Sequence, residues 1–195
     1  MIDTTTRPVP ARSSGLMLGT LGWVFASTAV AASGLLPRAP LLAVVWVVGS
    51  VAGWTLAYRR SAAVRRTLDA IDLRIVIAFH LIRIPIGAMF LVEHAHGRLG
   101  EVFAYRAGIG DIAIGALALG AIALHRRRGA VLAWSIAGIA DILLALGTAQ
   151  FLVLVRHDSL MIDAFTRLPF PLLPTLIVPA VIATHLLVLA RIRCR

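Results

Sequence analysis

His80 and Arg83 stand three residues apart in "HLIRIPIG", inside a run that is otherwise hydrocarbon. Asp111, Asp141 and His185 interrupt three later apolar runs in the same way. A charge of this kind facing lipid costs about 2.5 to 3.5 kcal/mol, so each must face protein and find a partner. Arg83 with Asp141 is the expected buried ion pair, with Asp111 as the alternative or additional partner. Histidine titrates near neutral pH, so His80, Arg83, Asp141, Asp111 and Glu93 could form a ladder for protons, ions or a small polar solute. His80 and His185 at equal depth on different helices could instead supply two axial ligands to a haem b iron. In that arrangement Gly87 leaves room for the ring and Arg83 meets a propionate. A third reading makes the ion pair only a clamp that fixes helix register.

A second polar group is "EHAH", Glu93 to His96. On an extended strand, His94 and His96 would turn to one side, with Glu101 nearby, as in a surface metal site. A solvated outer loop explains the same residues, and no metal ligand set is assigned to them. The chain contains no glycine-rich phosphate loop, nucleophile elbow, HExxH or CxxC. A soluble-type enzyme is therefore unsupported, although a site for a lipid or quinone needs few polar groups. Cys194 is the single cysteine, which excludes an intrachain disulfide.

These side chains need elements that carry them into an apolar interior. Of 195 residues, 59% are hydrophobic and only 14% charged, where a soluble domain is nearer 45–50% and about 25%. The net charge is +10, but the arginines lie in short clusters between apolar runs and not on one polar face. That pattern argues against nucleic acid and for a lipid bilayer. All nineteen basic residues are arginine, which fits the codon bias of a GC-rich genome better than any chemistry. Six runs can cross a membrane, at about 15–36, 41–58, 75–93, 108–125, 130–155 and 170–192. Spanning segments of this composition must be helices, because helices satisfy their own backbone. The fold class is therefore all-α, a six-helix membrane bundle. Residues 15–192 form its one domain, residues 1–14 an N-terminal tail and residues 193–195 a C-terminal end.

With both ends in the cytoplasm, thirteen arginines fall on the cytoplasmic side, five on the other, and Arg83 alone lies within a span. That split follows the positive-inside rule. Arg7 and Arg12 ahead of an apolar run ending in "AVAAS" also resemble a cleavable leader, which would leave the other five helices unchanged.

Counting about 1.5 Å per residue from the cytoplasmic ends puts His80 and His185 about 9 Å deep and Arg83 about 13 Å. The same ruler puts Asp141 near 16 Å and Asp111 near 21 Å. Helical spacing gathers Val76, His80, Arg83, Gly87 and Phe90 on one face. Asp141 shares a face with Trp134, Ala137, Gly138, Ala145 and Thr148, and Asp111 with Gly108, Gly115 and Ala118. Pro85 should kink the third helix, and Pro171, Pro174 and Pro179 the sixth. Small residues four apart predict close helix contacts at Gly15/Gly19, Gly49/Gly53, Ala116/Gly120 and Ala133/Ala137. "AGIGDI" at 107–112 recurs as "AGIADI" at 137–142 in a helix of opposite direction, as an inverted repeat would have it.

The segments "GRLGEVFAYRAGIGDIAIGALAL" and "LPFPLLPTLIVPAVIATHLLVLARI" resemble a family of small bacterial multi-pass membrane proteins of unknown function. The resemblance runs from about residue 75 to the end. It implies that Arg83, Gly110 with Asp111, Asp141 and His185 form a common polar site, and it brings no activity. The chain departs from that pattern at Gly100 and Arg106, where prolines are expected. The resulting expectation is a multi-pass protein of the bacterial inner membrane that binds or translocates a small solute or protons. The alternatives are a haem-b-binding or quinone- or lipid-linked redox protein and a non-catalytic scaffold. A homo-oligomer is left open.

Overall fold

A computed structural model describes residues 12–193, with side chains placed from Gly15 to Ile192. Residues 1–11 of the expected tail, with Arg7, and Cys194 and Arg195 of the expected C-terminal end lie outside the described residues. Helices α1 (Arg12–Ala32) and α2 (Leu41–Arg60) form a hairpin, followed by a short helix α3 (Ala62–Ala70). The third span is α4 (Leu73–Ala78), a 3₁₀ turn (Phe79–Ile82) and α5 (Arg83–Ala95). Then come α6 (Glu101–Ala123), α7 (Arg128–Leu154), the short α8 (Ser159–Ala164), a π-helical turn (Leu173–Ile177) and α9 (Val178–Arg193). Among the described residues there is no strand. Six helical segments among the described residues are long and apolar enough to span a membrane.

The apolar surface supports the same reading. Phe25 is 78% exposed, Leu18 68%, Val45 65% and Ile75 64%, and these lie on spanning helices. Large apolar side chains turned outward in such number suit lipid and not water. The protein is an integral, multi-pass, all-helical one. With six spans, the first residue of α1 and the last of α9 lie on one side of the bundle; the loops that include α8 lie on the other.

The fourth span is longer than the apolar run suggested. It starts at Glu101, with Gly100 as its N-cap at φ −65° and ψ 141°. Those angles suit a proline as well as a glycine, so the departure at Gly100 leaves this cap conformation intact. The first two turns of α6 present Glu101, Tyr105 and Arg106 outward while Phe103, Ala104 and Ala107 are buried. An amphipathic opening of this kind looks like loop to a hydropathy count.

The segment after α2, expected to be a connector, contains α3. Ser61 caps it by accepting a hydrogen bond from the Val64 backbone at 3.3 Å. Leu68 is partly covered while Arg65 and Arg66 are exposed, so α3 is amphipathic and suits the membrane surface. Asp72 then caps α4, accepting from the Arg74 backbone at 2.8 Å. Hydrogen bonds from the Arg74 side chain and backbone hold this carboxyl low, at about 2.

The expected small-residue contacts are corrected. A Cβ built on Gly15, Gly19, Gly49, Gly53 or Gly120 would meet nothing within 4 Å. Ala116, Ala133 and Ala137 face outward, so Ala137 also leaves the expected Asp141 face. The close approaches involve other glycines. Gly87 packs against the Gly108 carbonyl, and a Cβ on Gly115 would stand 3.2 Å from the Ile84 nitrogen. These contacts join α5 to α6 at the level of the 3₁₀ turn.

Two apolar clusters form the interior. Toward the chain ends, Leu73, Ile77, Ala118, Val131, Trp134 and Val188 pack together. Toward α8, Phe90, Phe103, Ala149, Leu152, Met161 and Phe170 do so. The ionisable side chains lie in the layer between them.

Candidate polar site within the bundle

The third span is continuous only as far as Ala78. The 3₁₀ turn that follows carries His80, and α5 restarts with Arg83 at its first residue and Pro85 at its third. Proline lacks the N–H that would continue the ladder and fits the first turn of a helix, so the break falls just ahead of it. A 3₁₀ stretch inside a spanning helix often marks a hinge or a site. The stripe Val76, His80, Arg83, Gly87 and Phe90 is buried along its whole length.

Arg83 is 1% exposed and reaches both aspartates. Its Nε donates to Asp111 Oδ1 at 2.6 Å, and its terminal nitrogen donates to Asp141 Oδ2. A third, longer bond goes to the Gly138 carbonyl at 3.4 Å. The long, planar guanidinium can serve two carboxylates at once, which an ammonium on a flexible stem would do less rigidly. The two "AGI-x-DI" copies therefore meet on one arginine, with their helices α6 and α7 antiparallel.

The aspartates are not equivalent. Asp141 packs into the space where Gly110 lacks a side chain, with Oδ1 closest. Asp111 instead lines a cavity of about 70 Å³ on the α8 side of the layer, together with Arg83. The remaining wall is mainly apolar and includes Phe90, Phe103, Phe170 and Val181. Gln150 also lines it, with a buried side-chain oxygen that has no hydrogen-bond partner. An engineered apolar cavity of about 150 Å³ admits benzene, so this one suits a few heavy atoms at most.

His80 and His185 are both fully buried, with ring centres 4.0 Å apart and a tilt of 42°. Trp134 closes the group, its ring centre 4.9 Å from His80 and 4.8 Å from His185. Trp134 Nε1 donates to the Ile114 carbonyl at 3.1 Å, which holds the indole across the helix pair. The Thr184 hydroxyl donates to the backbone, with the Ala180 carbonyl at 2.8 Å. Its oxygen is then the acceptor for His80 Nε2, 3.1 Å away, and the network assigns the proton to that nitrogen. His80 Nδ1 is left without a partner, as is His185 Nε2. The Ser135 hydroxyl lies 3.2 Å from His185 Nδ1 and 3.3 Å from the His185 carbonyl. Gly138 makes room for the His185 ring, whose Nε2 and Cε1 occupy the place of a Cβ.

This arrangement does not fit a haem. Metal–imidazole bonds are about 2 Å, so two axial ligands hold about 4 Å between their nitrogens alone and stand their ring centres farther apart. Rings 4.0 Å apart between their centres, with no exposed surface, leave no place for a porphyrin. Gly87, expected to make room for the ring, is filled by α6.

The outer residues do not join the layer. Glu93 pairs with Arg98 at 2.6 Å near the end of α5, so the expected ladder stops short of it. That same hydrogen bond raises the Arg98 pKa further above its ordinary value. The segment is helical through Ala95 and not a strand. His94 Nδ1 contacts the Leu99 carbonyl at 3.0 Å and His96 Nδ1 the Val92 carbonyl at 2.8 Å, so each ring is engaged separately. Among the described residues no group of three side chains has the makings of a metal site.

Sequence reasoning passed over Thr184, Ser135 and Gln150. Each is a polar side chain inside an apolar run, "ATHLL", "AWSIAG" and "TAQFL", and that was the available signal.

The fold and this layer define a multi-pass membrane protein with a buried arginine, two aspartates and two histidines at its centre. The chain belongs to a family described as a domain of unknown function, DUF8737, whose profile matches residues 36–193. No curated protein and no solved structure matches it.

Proposed function

We propose that this is a bacterial inner-membrane protein, with both ends cytoplasmic, that binds or translocates protons, alone or with a solute of a few heavy atoms. The observation that carries this reading is the shared arginine with a cavity at one of its two carboxylates. With both aspartates ionised, the trio Asp111–Arg83–Asp141 has a formal charge of −1, and one proton or small cation brings it to zero. A register clamp needs one acid, full packing and no cavity. Here Asp111 borders open volume while Asp141 is packed against Gly110. Intramembrane ionisable residues that face a cavity commonly mark ion or proton pathways. The two unpartnered histidine nitrogens beside the trio offer further acceptors in the same layer.

The test is proton flux into proteoliposomes that carry a trapped pH dye, driven by a potassium diffusion potential. Wild-type protein should conduct above protein-free vesicles. Asp111→Asn should reduce the flux at least about tenfold, the range over which a positioned proton acceptor acts. Wild-type flux at the protein-free level would overturn the proton reading and favour the clamp.

A further inference from the structure

A second open volume lies on the side of the chain ends, separate from the polar layer's cavity. It is a cleft of about 470 Å³ between α1, α2, α3, the 3₁₀ turn and α9. Trp23, Trp54, Phe79, Leu68 and Leu187 form much of its apolar wall, and Arg59 stands at one end. Along α9 the lining runs from Ala180 to Ala190. Ten residues of helix rise about 15 Å, which is half of a hydrocarbon core of about 30 Å. The cleft is thus about one leaflet deep, with its charged residue at the end nearest the membrane surface.

The charge around that end is strongly biased. Arg59 and Arg60 close α2 and Arg65 and Arg66 lie on α3, and all four are exposed. Asp69 is the one acid from Tyr58 to Ala70, and Tyr58 donates to its carboxylate at 2.9 Å. The Arg191 side chain donates to the Asp69 carbonyl at 3.2 Å, tying α3 to α9 across the mouth of the cleft. Clustered arginines beside a spanning helix and on an amphipathic helix attract acidic headgroups.

From this depth and this charge, we infer that the cleft seats one acyl chain of an anionic phospholipid from the leaflet on that side, with its headgroup at Arg59. A zwitterionic lipid would fill the same apolar wall but, with no net headgroup charge, gain less from the four arginines. A soluble anion would gain the charge and leave the cleft empty.

Trp23 and Trp54 line the cleft and report on it. The full chain is reconstituted in phosphatidylcholine vesicles that contain a small fixed fraction of lipid brominated on the acyl chain. One set carries brominated phosphatidylglycerol and the other brominated phosphatidylcholine. Tryptophan fluorescence should be quenched more by the brominated phosphatidylglycerol. Each arginine near the surface contributes about a fivefold gain in affinity, so replacing Arg59, Arg60, Arg65 and Arg66 together by Gln should bring the two sets close to parity. Trp23→Phe with Trp54→Phe should remove most of the excess quenching, since Trp46 and Trp134 do not line the cleft. Equal quenching by the two lipids in the wild type would overturn the inference. So would a phosphatidylglycerol preference that survives the arginine substitutions or the loss of both Trp23 and Trp54.

Discussion

At the residue scale, Arg83 is the side chain on which the layer depends. It is the shared partner of two carboxylates that would otherwise face each other in an apolar interior. Removing one member of a buried charge pair typically costs about 3 to 5 kcal/mol, because the remaining charge is stranded. Arg83→Ala should therefore lower unfolding stability by about that amount, measured by denaturant titration in detergent with helical circular dichroism as the signal. Asp141→Asn added to Arg83→Ala should recover part of the loss, since one stranded charge is then gone. Strictly additive effects in that double-mutant cycle would show that the two side chains do not interact. The types of these residues were legible in the sequence, and so was the pairing of Arg83 with an acid at similar depth. The level of Asp111 was not. The ruler counted inward from residue 125 along an undistorted helix. It made no allowance for the break at 79–82 or the reach of an arginine side chain. The histidines were correctly placed at one depth, but depth says nothing of the distance between two rings. Gly138 leaves the space that the His185 ring fills, and the two ring centres come to 4.0 Å.

At the scale of the elements, both helices that carry the histidines are irregular beside the layer. The third span narrows to a 3₁₀ turn at His80, and the sixth opens to a π-turn at Leu173–Ile177 before the regular α9. Pro171, Pro174 and Pro179 remove backbone donors there, so carbonyls are freed that other groups must satisfy. Trp46 supplies one, donating from Nε1 to the Thr175 carbonyl at 2.8 Å. The Thr175 hydroxyl donates to the Pro171 carbonyl at 2.9 Å. Trp46→Phe keeps most of the apolar contact and deletes the donor. It should cost about 1 to 3 kcal/mol, the range for a buried acceptor left unpaired, read as a lower denaturant midpoint with unchanged helix content. An unchanged midpoint would mean that water reaches the carbonyl. The prolines announced a disturbance in both spans, and its location near Pro85 was legible. The identity of the compensating donor was not, since Trp46 and Thr175 are 129 residues apart. The small-residue rule failed for a related reason. Spacing of four places two residues on one face without saying whether that face meets a helix or lipid. In a chain rich in alanine and glycine both kinds of face look alike.

At the scale of the molecule, sidedness decides which compartment the Asp111 cavity and the Arg59 cleft face. The arginines argue for one answer. Those beyond α2, around α3 and after α6 cluster on the side of the chain ends; Arg38, Arg98, Arg106, Arg156 and Arg167 are scattered on the other. Arginine retained on the cytoplasmic side sets orientation in short-loop proteins, so the cleft should open toward the cytoplasmic leaflet and the Asp111 cavity toward the opposite face. The single native cysteine makes this testable. In Cys194→Ser protein, a cysteine placed at Gly97 would sit at the turn after α5, on the α8 side. Gly97 has φ +69°, which strains a side chain, so His96→Cys is the better site: its ring is exposed and lies next to that turn. In intact spheroplasts a membrane-impermeant maleimide should label His96→Cys and leave Cys194 of the wild type unlabelled until the membrane is opened. The reverse pattern would invert the orientation. It would then place the Arg59 cleft in the leaflet where the positive-inside rule least expects four exposed arginines, and the assignment of cavity and cleft to their compartments would exchange with it.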